Sequence, residues 1–242
     1  MTSIKKLLKK EMFDPGLIGL VLNPFFHARR SLVNGIKKSA HHLEGSLLDV
    51  GCGSKPYRNL FKVTKYTGLD TDSSGHDHHE EDVDVLFDGR IFPFQDKVFD
   101  SILCNQVLEH VFEPSLLLSE SNRVLKVGGK CLFTVPFVWD EHEQPYDYAR
   151  YSSYGLKYLF EQHGFKILEQ YKLMNDFRVI IQLSIGYFYK LSRKITVVKQ
   201  LVQLLIIFPL NVLGWICLMI PANQDLYLDN LLVAEKVIDV KS

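Results

Sequence analysis

The sequence lacks the marks of several protein classes. Its four cysteines lie far apart and form no CxxC pair, so neither a zinc ribbon nor a disulfide framework is indicated, and a reducing compartment is expected. Lys and Arg together number 28, as do Asp and Glu, so the net charge is zero and the chain has no overall positive field to attract nucleic acid. We therefore expect no nucleic-acid partner.

The opening of the sequence also lacks the pattern of a cleavable secretion signal. The basic stretch Lys5–Lys10 is followed by Glu11, Asp14 and Pro15, which interrupt it before a short apolar run, and no small-x-small cleavage site follows. This pattern predicts a cytoplasmic protein.

What the sequence does contain is an alternation of strands and helices. With 242 residues, 47% of them apolar, its length suits one large α/β domain or a smaller one with an insertion. Apolar runs bounded by turn-forming residues predict a doubly wound, mostly parallel sheet. The expected strands are 46–50, 65–70, 83–87, 98–104, 130–135, 165–172 and 226–235, and the expected helices include 25–42, 107–125 and 154–162.

A glycine loop follows the first predicted strand. Asp49, Gly51 and Gly53 lie where parallel sheets bind their ligands, and the two glycines allow a tight turn close to a ligand. Asp70 ends the second strand, where an acid can accept hydrogen bonds from both hydroxyls of a ribose. A loop and an acid in this arrangement suit NAD and S-adenosylmethionine alike.

Two details favour S-adenosylmethionine. The dinucleotide motif needs a further glycine, whereas Lys55, Pro56 and Tyr57 follow the loop here. In addition, Asp49 would lie beside the negative pyrophosphate of a dinucleotide and repel it, but it suits the α-ammonium group of a methionine moiety.

The sequence resembles the class I S-adenosylmethionine-dependent methyltransferases, within them the small-molecule branch of quinone and sugar-associated enzymes. The resemblance is carried by LLDVGCG at 47–53, YTGLD at 66–70, FDGRIFPFQDKVFDSILCNQVLEHV at 87–111 and RVLKVGGKCLFTVPF at 123–137. It implies a seven-stranded Rossmann-like fold with a reversed last strand beside the fifth. Lys55 stands in place of the family's third loop glycine, so the resemblance does not fix the turn there.

The resemblance also implies a residue set for the cofactor. Asp49, Gly51 and Gly53 would border the methionine end, Asp70 would hold the ribose and Asp88 the adenine amino group. The expected S-adenosylmethionine site comprises Asp49, Gly51, Cys52, Gly53, Asp70, Thr71, Asp88, Gly89, Asn105 and Gln106. Cys52 is interpreted as a small residue that fills the loop, since the sequence shows no cation to activate it.

The acceptor is expected at the polar segment 139–152, after the fifth predicted strand. His142 is the candidate general base, because an unperturbed imidazole titrates near neutral pH. The expected substrate-binding residues are Glu143, Tyr146, Asp147 and Arg150, of which Arg150 would bind an anion. The alternative is that Arg150 forms an ion pair with Asp147 or Glu143 and only pins the loop.

Two further groups of polar residues are given structural roles. The run His76–Asp82 has the composition of a metal site, but neighbouring residues of one loop rarely converge in the geometry that metals require. We interpret it as a polar loop and expect no metal. Glu109 and His110 are expected to cap or brace the helix after the fourth strand.

The longest uncharged stretch is Leu201–Ile220, whose twenty residues would as a helix just cross a hydrocarbon layer of ~30 Å. A single crossing would leave the last strand on the wrong side of the membrane, and Pro209 and Asn211 also disfavour a span. We therefore expect Asp176–Lys190 and Lys199–Ile220 to form a hairpin on the membrane surface. The alternatives are a homodimer interface or a lid over the substrate.

Basic residues support a membrane-surface location. Lys190, Arg193, Lys194 and Lys199 would face anionic headgroups. At the other end of the chain, Ile4, Leu7 and Leu8 recur at helical spacing among lysines, which predicts a short basic amphipathic helix. This helix would either contact the membrane surface or be a solvated terminal turn.

The sequence thus predicts a cytoplasmic enzyme, peripheral at the inner face of the cytoplasmic membrane. Its expected segments are a basic helical segment (1–44), a catalytic domain (45–175), a hydrophobic insertion (176–223) and a final strand with a tail (224–242). Segment 141–152 resembles chains associated with bacterial surface-polysaccharide synthesis, which implies O-methylation of a glycan or lipid-linked acceptor. The alternatives are a quinone-type acceptor, a cofactor-binding scaffold without turnover, or a nicotinamide oxidoreductase.

Overall fold

The computed structural model describes residues 3–71 and 82–240, so the run His76–Asp82 lies outside the described residues except for Asp82. The strands are β1 Ser46–Val50, β2 Lys65–Thr71, β3 Val85–Phe87, β4 Phe99–Asn105, β5 Leu125–Pro136, β6 Phe165–Leu173 and β7 Asp229–Lys236. The helices are α1 Ser3–Phe13, α2 Leu17–Leu22, α3 Phe26–Ser39, α4 Pro114–Val124, α5 Ser153–Gln162, α6 Arg178–Ser192, α7 Thr196–Val202 and α8 Phe208–Ile216.

The seven strands form one sheet in the order β3-β2-β1-β4-β5-β7-β6. The pairs that join β3, β2, β1, β4 and β5 are parallel, and β7 runs antiparallel to β5. The predicted fold class, including the reversed last strand beside the fifth, is therefore confirmed. In this order the carboxyl ends of β1, β2 and β4 meet at one edge, where the chain changes direction between β1 and β4.

The central strands are almost wholly buried because helices cover both faces of a sheet of this kind. Leu47, Leu48, Ile102 and Leu103 have no more than 1% of their surface exposed. The glycine loop and the other strand ends are thus attached to the deeply buried centre of the sheet.

The predicted helix 107–125 is wrong in its first half. The chain forms a single 3-10 turn at Leu108–His110, and α4 begins only at Pro114. Proline fits the first turn of a helix but disfavours helical conformation in the residue before it. Consequently Glu109 and His110 belong to a loop at the carboxyl end of β4, not to a helix.

Three strand starts differ from expectation by two residues or more, and among them β7 begins at Asp229, three residues later than predicted. β3 begins at Val85, two residues later than predicted, because Asp84 accepts hydrogen bonds from the Gly68 amide (2.6 Å) and the Lys55 ammonium (2.7 Å). β5 begins at Leu125, five residues earlier than predicted, since Leu125 already pairs with Phe99 of β4.

The chain divides into two compact units. The sheet unit comprises residues 35–137, 141–171 and 229–242. The helical unit comprises the chain up to Asn34, residues 138–140 and residues 172–228. The predicted N-terminal amphipathic helix is present as α1 and belongs to the helical unit.

The helical unit contains one helix, Thr196–Met219, that by length and composition could cross a membrane. It includes α7 and α8, joined by a π-helical turn at Gln203–Ile207 just before Pro209. Only 22% of its most apolar window is buried. The buried positions include Ile207, Asn211 and Gly214, which recur at helical spacing along one face.

Candidate active site

The glycine loop turns sharply at the end of β1. Gly51 and Gly53 have φ values of +68° and +45°, a region that residues with a Cβ rarely adopt. A Cβ on Gly51 would lie 2.3 Å from Cγ2 of Val107, so no side chain fits at this position. The amides of Gly51 and Cys52 both donate to the Leu69 carbonyl of β2, which holds the loop against the neighbouring strand.

Asp70 sits beside this loop at the end of β2. One carboxylate oxygen accepts from the Gly53 amide (2.8 Å) and the other from the amide of Thr71 (2.8 Å). Since each carboxylate oxygen can accept more than one hydrogen bond, both keep acceptor capacity for the hydroxyls of a ligand. The two backbone donors therefore fix the orientation of the carboxylate without saturating it.

Asp49 is a strongly perturbed acid beside the glycine loop. It is 4% exposed, and the Tyr66 hydroxyl donates to its Oδ2 at 2.5 Å. Burial raises the pKa of Asp49 to about 7; the neighbouring Asp70 adds to the rise, while the hydrogen bond from Tyr66 and the charge of Lys55 oppose it. A cationic group placed here would stabilise the ionised carboxylate.

Lys55 explains how the loop closes without the third glycine. It adopts a φ of +50°, and its ammonium donates to Asp84 at 2.7 Å. The side chain passes over Gly68, where a Cβ would lie 2.3 Å from Cε of Lys55 and 2.6 Å from Sγ of Cys52. The left-handed backbone of Lys55 is thus held by an ion pair between its buried ammonium and the exposed carboxylate of Asp84, and by the absence of a side chain at position 68.

Cys52 has no reactive character in this setting. Burial raises the pKa of its thiol well above the ordinary range, and the charge of Asp49 adds to the effect. The thiolate, which is the nucleophilic form, is therefore suppressed. Its geometry agrees with the interpretation as a small residue that fills the loop.

The remaining predicted cofactor residues follow β3 and β4. Asp88 is exposed and accepts from the amides of Arg90 and Ile91, while Gly89 completes the turn with a φ of +79°. At the end of β4, the hydroxyl of Thr134 donates to Asn105 (2.8 Å) and accepts from the Gln106 side chain (3.3 Å). All these groups lie at carboxyl ends of parallel strands.

The acceptor segment is organised by an ion pair. Arg150 donates to both carboxylate oxygens of Asp147, at 2.6 and 2.7 Å, and the His142 amide donates to the same carboxylate at 2.9 Å. Burial alone would raise the pKa of Asp147, but these hydrogen bonds and the charge of Arg150 hold it at about 2. This is the loop-pinning ion pair that the sequence left as the alternative to anion binding by Arg150.

His142 lies within this framework. Its Nδ1 is 3.3 Å from Oδ2 of Asp147 and 3.4 Å from the Arg150 guanidinium. Its ring meets that of His110 edge to face, with 4.7 Å between the centroids. Two other predicted substrate residues flank the pair, as Glu143 lies 3.6 Å from His110 and the Tyr146 carbonyl accepts from Nδ1 of His110.

Sequence reasoning missed Glu109 and His110 as members of this site. Glu109 is fully buried, and its carbonyl accepts from the amides of Tyr148 and Ala149 in the acceptor segment. Their position just after β4, at the same sheet edge as the loop after β5, could have identified them. They were instead assigned to a helix that was predicted to begin at Val107.

Comparisons with known proteins agree with this geometry. Residues 48–133, about a third of the chain, match the methyltransferase domain family. A curated relative, an uncharacterized protein of Methanocaldococcus jannaschii, is 26% identical over 106 residues, which are 44% of this chain and 51% of the relative. The chain thus matches only about half the length of that relative.

Solved structures share the fold at low sequence identity. Phosphoethanolamine N-methyltransferase 2 of Haemonchus contortus, in complex with S-adenosylmethionine, has a TM-score of 0.54 at 17% identity, with 98% of this chain and 60% of that chain covered. The [4+2]-cyclase SpnF also has a TM-score of 0.54, at 19% identity, with 88% and 83% covered. Residues 48–133 are thus similar to the methyltransferase domain family, and the chain shares its fold with solved structures described as putative methyltransferases.

The sequence predicts S-adenosylmethionine as the cofactor, and the Haemonchus contortus structure with the same fold is in complex with it. The described residues fit it. Asp70 keeps acceptor capacity for the two ribose hydroxyls, and Gly51 leaves space that any Cβ would fill. Asp49 offers a buried carboxyl whose ionisation a cationic ligand would favour. The individual contacts that the resemblance assigns to Asp88, Asn105 and Gln106 stay predictions.

Proposed function

We propose that this chain transfers the methyl group of S-adenosylmethionine to a hydroxyl group of a glycan or lipid-linked acceptor at a membrane surface. The observation that carries the proposal is a cofactor loop and a cluster of ionisable groups, Glu109, His110 and His142, attached to one edge of the sheet. The fold alone would not suffice, because a [4+2]-cyclase shares it.

The reaction needs orientation and removal of one proton. The acceptor oxygen attacks the methyl carbon in line with the sulfur, so the O–C bond forms as the C–S bond breaks. The electron pair of the C–S bond stays on sulfur, which leaves neutral S-adenosylhomocysteine. The hydroxyl proton passes to a group of the Glu109–His110–His142 cluster, where His142 is the base predicted from the sequence.

The acceptor class is inferred from the surface of the helical unit. The helix Thr196–Met219 exposes large apolar side chains, and the chain before it exposes Arg193 and Lys194. This combination suits an anionic membrane surface. We therefore place the chain at the inner face of the cytoplasmic membrane, where a lipid-linked acceptor would be within its reach.

The side-chain bonds of the helix favour docking over spanning. Asn211 is fully buried and donates to the carbonyls of Leu20 (2.9 Å) and Asn23 (3.2 Å), while Gln203 donates to that of Val21 (2.6 Å). If this helix crossed the bilayer, it would have to carry the end of α2 and the following Asn23 into the hydrocarbon with it.

Incubation of the purified chain with methyl-labelled S-adenosylmethionine and a bacterial lipid extract tests this function. We expect label in the lipid or glycan fraction and one S-adenosylhomocysteine per methyl group transferred. Asp70→Asn should weaken cofactor binding by about tenfold or more, since it removes the charged acceptor for the ribose. Asp225→Asn, at an exposed loop position, is the matched control and should bind normally.

Other outcomes would support the competing functions. Cofactor binding without transfer to any lipid, glycan or quinone fraction would indicate a scaffold. Label in quinones alone would replace the glycan acceptor by a quinone-type one. Tight NADH binding without binding of S-adenosylhomocysteine would indicate an oxidoreductase.

A further inference from the structure

The side chain of Glu109 is buried in an unusual state. It has no exposed surface, and neither carboxyl oxygen has a hydrogen-bond partner among the described residues. Burial raises the pKa of Glu109 well above its usual range, and the nearby acids Asp229 and Glu143 add to the rise. A buried carboxyl without partners is costly, and a bound ion is one of the explanations for such a group.

His110 presents a nitrogen toward this carboxyl. Its Nδ1 lies 2.7 Å from the Tyr146 carbonyl, which can only accept, so the hydrogen of a neutral ring is on Nδ1. Nε2 then keeps its lone pair, and it lies 3.8 Å from Oε1 of Glu109 and 3.6 Å from Oε2 of Glu143. A carbonyl that fixes the tautomer in this way is typical of histidines that bind metals.

His142 completes the set. One ligand atom each from Glu109, His110 and His142 lie within 4.8 Å of one another. The carboxylate of Asp147, held at 2.6 Å by Arg150, lies 3.3 Å from Nδ1 of His142. An outer carboxylate beside a ligating imidazole is a recurrent feature of zinc sites.

We propose that Glu109, His110 and His142 bind a divalent transition-metal ion. Two imidazoles and one carboxylate are a donor set that zinc accepts in catalytic sites, where a further position stays open for substrate or water. Ligand atoms about 2.1 Å from such an ion lie ~3.4 Å apart, so the cluster would contract on binding. Glu109 is buried, but the side chains of His110 (14% exposed) and His142 (26% exposed) reach the surface, so the ion can enter the site past them.

Resting on the proposed function, the site would serve deprotonation of the acceptor. A hydroxyl bound at the open position would lose its proton more readily, because a divalent cation stabilises the alkoxide. In this arrangement His142 acts as a ligand and not as the free base expected from the sequence. The proton leaves to solvent or to Glu143.

Zinc binding by the untagged full chain tests the site without any methyl transfer. The histidine-rich run His76–His79 could bind zinc on its own, so the experiment uses a background in which His76, His78 and His79 are replaced by Asn. In that background we expect about one zinc ion per chain by calorimetry. We also expect a rise of the thermal midpoint on addition of zinc, because the ion binds only the folded state.

The key variant is Glu109→Gln. It preserves shape and removes a buried acid, so the protein should fold without metal at least as well as its parent, whereas zinc affinity should fall by at least about 100-fold. His142→Gln should act in the same way. Glu141→Gln is the matched control, an exposed residue of the same segment, and its zinc affinity should stay within about twofold.

Loss of stoichiometric binding in the Asn background, or unchanged affinity in both Glu109→Gln and His142→Gln, would overturn the site. Cobalt substitution adds a spectroscopic check, since a site with bound imidazoles gives visible absorption bands that Glu109→Gln should change. Binding of S-adenosylmethionine, measured separately, distinguishes failure of the metal site from failure of the proposed methyltransferase function.

Discussion

At the scale of single residues, the charge of a buried carboxyl group in the site depends on whether a ligand is bound. Asp49 has a pKa of about 7 because it is buried, and a proton occupies it in much of the unliganded protein near neutral pH. A ligand with an ammonium group and a sulfonium stabilises the ionised form. Cofactor binding and proton release are therefore coupled.

This coupling predicts the pH dependence of cofactor affinity. Below pH 7 the α-amino group of S-adenosylmethionine stays protonated, so Asp49 is the group that titrates. Affinity should rise with pH and level off above about 7, with a loss of roughly tenfold between pH 7 and pH 5.5. Calorimetry at several pH values measures the slope of cofactor affinity against pH directly.

Two variants check the origin of the slope. Asp49→Asn should bind more weakly at pH 7 and show little pH dependence, because its side chain cannot ionise. Asp225→Asn should keep both the affinity and the slope. If Asp49→Asn keeps the full slope, another group is responsible and the role of Asp49 is wrong.

The positions that the sequence predicted correctly are those that depend only on neighbouring residues in the chain. Asp70 and the glycines were predictable, since a ligand site at the ends of parallel strands needs only the strand pattern. The conformation of Lys55 was not, because its positive φ depends on Asp84 and on Gly68, which come from other parts of the chain. Glu109 was missed for a similar reason, as its carbonyl bonds the amides of residues 148–149, which come from another part of the chain.

At the scale of elements, helix α8 combines a tightly packed face with an exposed apolar one. His27 is buried, and burial lowers its pKa to about 4, so the ring is neutral and bonds the Asn211 carbonyl at 2.9 Å. A Cβ on Gly214 would lie 2.3 Å from Nε2 of this ring. The close approach of helix and imidazole therefore requires glycine.

Gly214→Ala should destabilise the protein by about 1–3 kcal/mol, because the methyl group overlaps a buried ring that cannot move freely. Gly186→Ala in α6 is the matched control. Its Cβ would meet only an oxygen of Asp140 at 3.9 Å, and alanine should stabilise that helix by ~0.5–1 kcal/mol. Thermal and denaturant unfolding measure both changes. A stabilising effect of Gly214→Ala would contradict the packing described for α8.

Element type was more predictable than element boundary. Periodicity correctly gave α3, α5 and the central strands, because buried faces impose a period on the sequence. The start of α4 was predictable in hindsight from Pro114, whereas that of β3 depends on the side-chain bonds of Asp84. The packing face of α8 was hidden because Asn211 interrupts an apolar run only to bond residues some 190 positions earlier.

At the scale of the whole molecule, apolar surface and positive charge coincide in the helical unit. Leu205 and Ile216 are 66% and 61% exposed, and Met219 is 88% exposed. Arg193, Lys194 and Lys199 are exposed as well, while Lys190 is paired with Asp140 at 2.8 Å. An exposed apolar surface of this kind is typical of an interaction site. An anionic lipid surface suits both its apolar side chains and its basic residues.

Vesicle binding is therefore expected, and it should depend on both components. The full chain should pellet with phosphatidylglycerol vesicles and bind neutral phosphatidylcholine more weakly, by up to about fivefold for each of the three exposed basic residues. Leu205→Glu and Ile216→Glu should each weaken binding to both kinds of vesicle. Val127→Glu, at an exposed apolar position of the sheet unit, is the matched control and should bind normally.

The same experiment distinguishes docking from spanning and from dimerisation. A docked chain should leave the vesicles in alkaline carbonate, because Asn211 and Gln203 bond the apolar helix to α2 and so favour an attachment at the surface over a span. Retention after that wash would indicate a span. A vesicle-independent dimer that Leu205→Glu converts to monomer would show that a second copy covers the surface instead, since a charge buried at an apolar interface without a partner is strongly unfavourable.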